Sequence, residues 1–203
     1  VYRDDQFIVM ATANGTIKKS ALMDYSRPRA GGIIALNLVE GDELIKVLVT
    51  EGSQHIMLVS SSGKAVRFDE ADARPLGRTA RGVRGIRLAK GHSVISMIIL
   101  PGDAVLAESE TDVDDTGLEE GEQLEQDSGG QSLLFCTENG YGKRTRIENF
   151  PVHRRGGQGV IAIKTPERNG NVVNACMVQS SGEVMMITDG GVLIRTPASQ
   201  ISM

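Results

Sequence analysis

The residues best placed to do chemistry in this chain are cations that follow a glycine in a tight turn. They occur in Asn14-Gly15-Thr16-Ile17-Lys18-Lys19, Ser62-Gly63-Lys64-Ala65-Val66-Arg67, Asn139-Gly140-Tyr141-Gly142-Lys143-Arg144 and Gly190-Gly191-Val192-Leu193-Ile194-Arg195. Four equivalent units with a cation at one place build a curved basic track. Such a track holds a polyanion through many dispersed charge contacts. Further cations stand in the connecting loops (Arg27, Arg29, Arg74, Arg78, Arg81, Arg84, Arg154 and Arg155) and at Arg146, Arg87 and Lys164. A solvated surface accounts for any one of them but not for their recurrence at matched positions. Adjacent strand residues face opposite sides, so one member of each Lys18-Lys19 type of doublet is expected to point away.

Arginine exceeds lysine in the loops, which suits bidentate phosphate contacts. Neighbouring Gly31, Gly32, Gly82, Gly156 and Gly157 would let backbone N–H groups approach phosphates, or would serve strand-end geometry. Aromatic residues make up 3% of the chain and Trp is absent. Single-strand binders stack bases on aromatic platforms, so a duplex backbone is the better target. No segment reads as a recognition helix. Binding is therefore expected to be independent of sequence, driven by counterion release and DNA deformability.

Other chemistries find little support. His55, His92 and His153 lie in different repeats without a nucleophile motif and read as surface or turn histidines. Gly82-Val83-Arg84-Gly85 lacks the Lys-Ser/Thr of a phosphate loop. No catalytic residue, metal cluster or cofactor site is expected. Cys136 and Cys176 read as buried free thiols in a reducing cytosol. No apolar run approaches the ~20 residues that span a bilayer, and no signal peptide is visible. The start, Val1-Tyr2-Arg3-Asp4-Asp5, reads as a cut from a longer polypeptide.

The net charge of −4 taken alone opposes a polyanionic partner, but the charge is segregated. Residues 103–131 hold eleven acids and no Lys or Arg; without them 22 basic residues face 15 acidic ones, a net of +7. Their composition cannot bury apolar surface, so a disordered acidic loop is expected there.

The elements that must position the cations repeat as well. The hairpin glycines Gly15, Gly63, Gly140 and Gly191 are spaced by 48, 77 and 51 residues, the long interval being one repeat plus the acidic insertion. Each copy opens with an apolar strand such as Phe7-Ile8-Val9-Met10 or Ile56-Met57-Leu58-Val59 and turns at glycine. A third strand follows, at Gly32 to Leu38, Gly82 to Leu88 and Gly159 to Lys164, and then a final apolar strand at Leu44 to Val49, Val94 to Leu100 and Val172 to Val178. Four strands per unit of about 48 residues, with little helical periodicity, predict an all-β fold of propeller blades or a related radial array. Two unrelated β-sandwiches would not repeat at matched offsets. The expected organisation is a single domain over 1–203, with repeats at 7–50, 54–100, 132–179 and a partial one at 182–203. The fourth copy stops before its second half, so it cannot close unless strands are exchanged between units.

Met10-Ala11-Thr12-Ala13-Asn14-Gly15-Thr16-Ile17-Lys18-Lys19, Gly41-Asp42-Glu43-Leu44-Ile45, Gly82-Val83-Arg84-Gly85-Ile86-Arg87-Leu88, Asn139-Gly140-Tyr141-Gly142-Lys143-Arg144-Thr145 and Met185-Met186-Ile187-Thr188-Asp189 resemble the C-terminal domain of the DNA gyrase A protein. The topoisomerase IV counterpart shares the repeat but matches these strings less well. The resemblance implies a β-pinwheel of four-stranded blades, as a ring or an open spiral, whose basic rim wraps duplex DNA and supports negative supercoiling. It implies a non-catalytic part of an ATP-dependent topoisomerase, with ATP and Mg used elsewhere in the enzyme. Its partners would be the remainder of the gyrase A protein together with gyrase B, in a cytoplasmic, nucleoid-associated location. The DNA-contacting set it implies is Lys18, Lys19, Arg27, Arg29, Lys64, Arg67, Arg78, Arg81, Arg84, Arg87, Lys143, Arg144, Arg146, Arg154, Arg155, Lys164 and Arg195. The family's box Gln-Arg-Arg-Gly-Gly-Lys-Gly belongs to a first blade, expected upstream of Val1; His153-Arg154-Arg155-Gly156-Gly157-Gln158-Gly159 matches five of its seven positions in a later repeat. A protein-interaction propeller is the alternative, but it would more naturally expose a large apolar or aromatic patch.

Overall fold

Each repeat begins as a hairpin whose turn is closed at the glycine. In a computed structural model, which describes residues 2–102 and 131–203, β1 (Phe7–Thr12) pairs antiparallel with β2 (Thr16–Ala21). The Gly15 N–H donates to the Thr12 carbonyl over 3.0 Å with Gly15 at φ +84°, a conformation other residues adopt only with strain. The Thr12 hydroxyl accepts the N–H of Thr16 at 3.2 Å. Ser60 and Thr188 do the same for Lys64 and Val192, so a hydroxyl residue three before each of these glycines belongs to the turn. The acidic insertion expected at 103–131 lies, but for Gln131, outside the described residues.

The repeats do not form blades from their own strands alone. β3 (Leu44–Thr50) lies on the outer side of β1, while the other edge of β2 is taken by β6 (Val83–Arg84), a strand of the following repeat. The second sheet is built the same way. β4 (His55–Ser60), β5 (Lys64–Asp69) and β7 (Val94–Leu100) are joined by β10 (Val160–Ile161) from the third repeat, in the order β10-β5-β4-β7. The third sheet runs β11-β8-β9, from β8 (Gln131–Thr137), β9 (Gly142–Arg146) and β11 (Val172–Gln179). The fourth is the hairpin β12 (Glu183–Ile187) with β13 (Leu193–Pro197).

Expecting each unit's third strand to stay in its own blade was therefore wrong. Exchange runs back by one repeat, and residues 32–38, the third-strand segment of the first repeat, form no strand. The hairpin glycine is the exchange socket: the Gly15 carbonyl accepts the N–H groups of Gly85 and Ile86, and the Gly63 carbonyl those of Ala162 and Ile163, at 2.8 to 3.3 Å. A Cβ on Gly63 would stand 2.1 Å from the Ile163 oxygen.

The cores lie between successive sheets. Ile56 and Leu58 of β4 pack with Val9, Ala11 and Ile17 on one side, while Met57 and Val59 pack with Leu133 and Phe135 on the other. Every residue of β4 is buried because both of its faces are covered. On β12, Met185 and Ile187 are exposed.

Candidate nucleic-acid interface

Strand exchange requires a crossover from each repeat back to the one before, and the loop arginines sit on these crossovers. After β5 the chain makes a 3-10 turn at Glu70–Asp72, then runs along β2 to β6, carrying Arg74, Arg78, Arg81 and Arg84. After β9 it turns at Ile147–Asn149 and runs along β5 to β10, carrying Arg154 and Arg155. The segment after β2 turns at Leu22–Tyr25 and carries Arg27 and Arg29.

These segments are laced edge to edge. Asn37 Nδ2 donates to the Thr79 carbonyl at 2.7 Å, and Lys18 Nζ donates to the carbonyls of both Ala35 and Arg78. On the other side, Arg155 donates from Nε to the Asp72 carbonyl at 2.8 Å and from Nη1 to that of Arg84 at 3.1 Å. The Gly156 N–H reaches the Gly85 carbonyl and the Arg87 N–H the Gly157 carbonyl, at 2.6 and 2.8 Å. Arg27, Arg29 and Arg78 line one concavity with Asp24, Ser26 and Ile33. The Gly156 amide is thus spent on a neighbouring crossover and not free for a phosphate.

Of the expected contact residues, Arg27, Arg29, Arg81, Arg84, Arg87, Lys143, Arg154, Lys164 and Arg195 are exposed, and Lys64, Arg78, Arg146 and Arg155 are half-buried. Arg78, Arg84, Arg87, Arg154 and Arg155 come together on the laced segments with Arg27 and Arg29. Lys143 and Arg146 lie on β9 of the third sheet and Arg195 on β13 of the fourth, while Lys164 follows β10 at the edge of the second. Arg195 bonds Glu183 on the neighbouring strand, Nε to Oε2 at 2.9 Å.

Four expected contacts are corrected by their burial. Lys18, Lys19, Arg67 and Arg144 are 0%, 4%, 3% and 2% exposed, with their charged ends bound inside the protein and out of reach of a phosphate. Burial pulls the Lys18 ammonium below its ordinary range, with Asp24 opposing the effect and Arg78 adding to it. The Lys18-Lys19 doublet thus has neither member free at the surface, because the crossovers cover one side and the next sheet the other.

The other three occupy the fourth position after the hairpin glycine, and each reaches the 3-10 turn that follows the next repeat's hairpin. Lys19 Nζ lies 2.9 Å from a Glu70 carboxylate oxygen and 4.2 Å from the centre of the Phe7 ring. Arg67 Nη1 donates to the carbonyls of Ile147 and Phe150 at 3.3 and 3.2 Å, and its Nε and Nη2 donate to His55 Nδ1. Arg144 donates to the carbonyls of Ile201 and Ser199 at 2.8 and 3.4 Å, the latter in the turn Ala198–Gln200. The recurring cation is therefore a clasp between blades.

His55 and Glu70 were missed as participants. His55, expected at a surface or turn, is buried; desolvation, reinforced by the Arg67 charge and opposed by Asp69, holds its pKa below the usual imidazole value. Register could have revealed it, since His55 holds in its strand the place of Phe7 in the first. The thiols also differ from expectation: Cys136 is half-buried and Cys176 exposed, on paired strands β8 and β11, and desolvation raises both.

Among the described residues, no helix is long and apolar enough to cross a membrane. The fold is that of propeller-like C-terminal domains found in DNA topoisomerase IV and DNA gyrase A. The chain superimposes with a TM-score of 0.80 on a DNA topoisomerase IV C-terminal domain (21% identity, 99% of this chain, 55% of that one) and 0.76 on a DNA gyrase A C-terminal domain (23%, 100% and 59%). Residues 6–51, 54–101, 131–175 and 182–203 match the family described as "DNA gyrase C-terminal domain, beta-propeller", and the chain belongs to that family. It is 46% identical over 201 residues to the DNA gyrase A protein of Salmonella typhimurium, covering 99% of this chain and 20% of that protein. Against the DNA gyrase A protein of Haemophilus influenzae it is 46% identical over 209 residues, covering 99% and 23%. The chain thus spans about a fifth of the length of these relatives.

Proposed function

We propose that the laced crossovers form a strip that binds the backbone of duplex DNA and bends it around the blades, supporting negative supercoiling by the enzyme of which this domain is a part. The reading is carried by one observation, the edge-to-edge hydrogen bonding of successive crossovers, which joins the segments bearing Arg27, Arg29, Arg78, Arg81, Arg84, Arg87, Arg154 and Arg155. Guanidinium groups on anchored backbone suit phosphates spaced along a duplex, and the strip offers no helix for reading bases. Lys64, Lys143, Arg146, Lys164 and Arg195 are secondary contacts in this reading. The four buried cations are not contacts at all. Duplex DNA is the direct partner. The rest of the gyrase A protein, together with gyrase B, supplies cleavage and ATP- and Mg-dependent chemistry, in the bacterial cytoplasm at the nucleoid. The whole 1–203 acts as a single wrapping domain.

The test is a duplex titration at several salt concentrations. With all eight arginines on phosphates, log K falls against log salt with a slope of about −7. Arg84→Ala and Arg154→Ala each weaken binding to unrelated sequences alike and reduce the slope by about 1. Sealing a nicked plasmid with the domain bound shifts its linking number only if enough of the rim is present; no shift with residues 1–203 but a shift with a longer chain would mean that further blades are needed. Salt-insensitive binding, or binding indifferent to both substitutions, would refute the reading.

A further inference from the structure

The clasps and the surface arginines are parts of one device. We propose that Lys19 and Arg67 are positioning residues, each holding from inside the crossover whose outer face presents cations to the polyanion. The inference rests on the rim reading above.

Arg67 holds its crossover at two levels. Its guanidinium binds the carbonyls of Ile147 and Phe150, where the segment starts. Its own carbonyl accepts the N–H of His153 at 2.8 Å, and its backbone forms a parallel bridge with Val152. Arg154 and Arg155 follow immediately, and β10 then joins the strand that carries Arg67. Lys19 repeats the arrangement. Its ammonium holds Glu70, its carbonyl accepts the N–H of Leu76 at 2.8 Å, and its backbone bridges to Pro75. Arg78 lies two residues beyond. Arginines one to three residues from backbone anchored this way, exposed at Arg154 and half-buried at Arg78 and Arg155, lose little backbone freedom on binding. Unanchored, they would have to be ordered with their loop, and affinity would fall. A buried cation thus governs DNA affinity without touching DNA.

The experiment is a double-mutant cycle in the whole chain, with amide hydrogen exchange as a readout that needs no DNA. Arg67→Met keeps the buried stem and removes the clasp; Arg67→Lys keeps the charge but not the span across two carbonyls, and serves if the first variant does not fold. Expected for Arg67→Met are exchange at residues 152–157 at least about tenfold faster, with β1 and β2 unchanged, and roughly tenfold weaker duplex binding. In an Arg154→Ala/Arg155→Ala background, Arg67→Met then has little further effect on affinity, because the groups it positions are gone. Arg67→Lys falls between. Unchanged exchange at 152–157, or an Arg67 effect on binding that persists undiminished in that background, overturns the proposal. Wild-type chain that fails to bind duplex refutes the rim reading, and the exchange result alone then decides whether Arg67 holds the crossover.

Discussion

Replacing Lys19 by Met tests whether the first clasp is buried as described. Lys19 is 4% exposed and Glu70 fully buried, their charged atoms 2.9 Å apart. Glu70 also accepts from the Thr50 hydroxyl and, at 3.3 Å, from the Gln54 N–H, so it cannot turn outward without losing two further bonds. Met preserves most of the stem packing but leaves a carboxylate buried without its cation. Breaking a buried pair from one side costs about 3–5 kcal/mol, whereas an exposed pair contributes about 0–1 kcal/mol. For a chain of this size each kcal/mol moves the melting temperature by roughly 2–4 °C, so Lys19→Met should lower it by about 6–20 °C. Urea unfolding followed by circular dichroism should show the earliest transition moving by the equivalent amount at constant slope. Adding Glu70→Gln removes the stranded charge while keeping an acceptor for Gln54, and should recover more than half of the loss. A Lys19→Met cost below about 1 kcal/mol, or no recovery in the double variant, would refute the reasoning, since both follow from burial of the charge.

Three further outcomes follow from the same geometry. Gly63→Ala should destabilise far more than Gly191→Ala in thermal melts: both glycines have positive φ, costing a side chain about 1–2 kcal/mol, but only at Gly63 does the new Cβ strike the exchanged strand. The neutral, buried His55 has a folded pKa below its unfolded value of about 6.5. Its contribution to stability is therefore complete above that pH and is lost as pH falls towards the folded pKa; His55→Gln should flatten this part of a stability–pH curve. Glu183→Gln, which breaks an exposed pair with Arg195, should change stability by no more than about 1 kcal/mol in the same melts.

Much of the fold was legible in the residues. The short continuous apolar runs placed β1, β4, β8 and β12, and the turn glycines placed the hairpins, because both signals act over a few neighbouring residues. The loop arginines were likewise found at once, since their recurrence needs only an alignment of repeats. What could not be read was which hairpin each third strand joins. Gly82-Val83-Arg84-Gly85 carries no mark that its partner is Thr16-Ile17 and not its own Lys64-Ala65. The same ambiguity misplaced the hairpin cations. Lys19, Arg67 and Lys143 look equally exposed on a strand, and only the covering of two of them by a neighbouring blade separates clasp from contact.

The repeat length, the all-β character, the turn chemistry and the family were thus determined by sequence alone, because each depends on local spacing or on matched strings. Tertiary structure decided the exchange of strands and the lacing of crossovers. It also decided the division of the cations into those that hold blades and those that face solvent. These depend on contacts such as Arg67 with Phe150, 83 residues apart, and on whether water or protein fills the space beyond a side chain. A guanidinium denied water must find carbonyls or an acid, and the next repeat's turn supplies them.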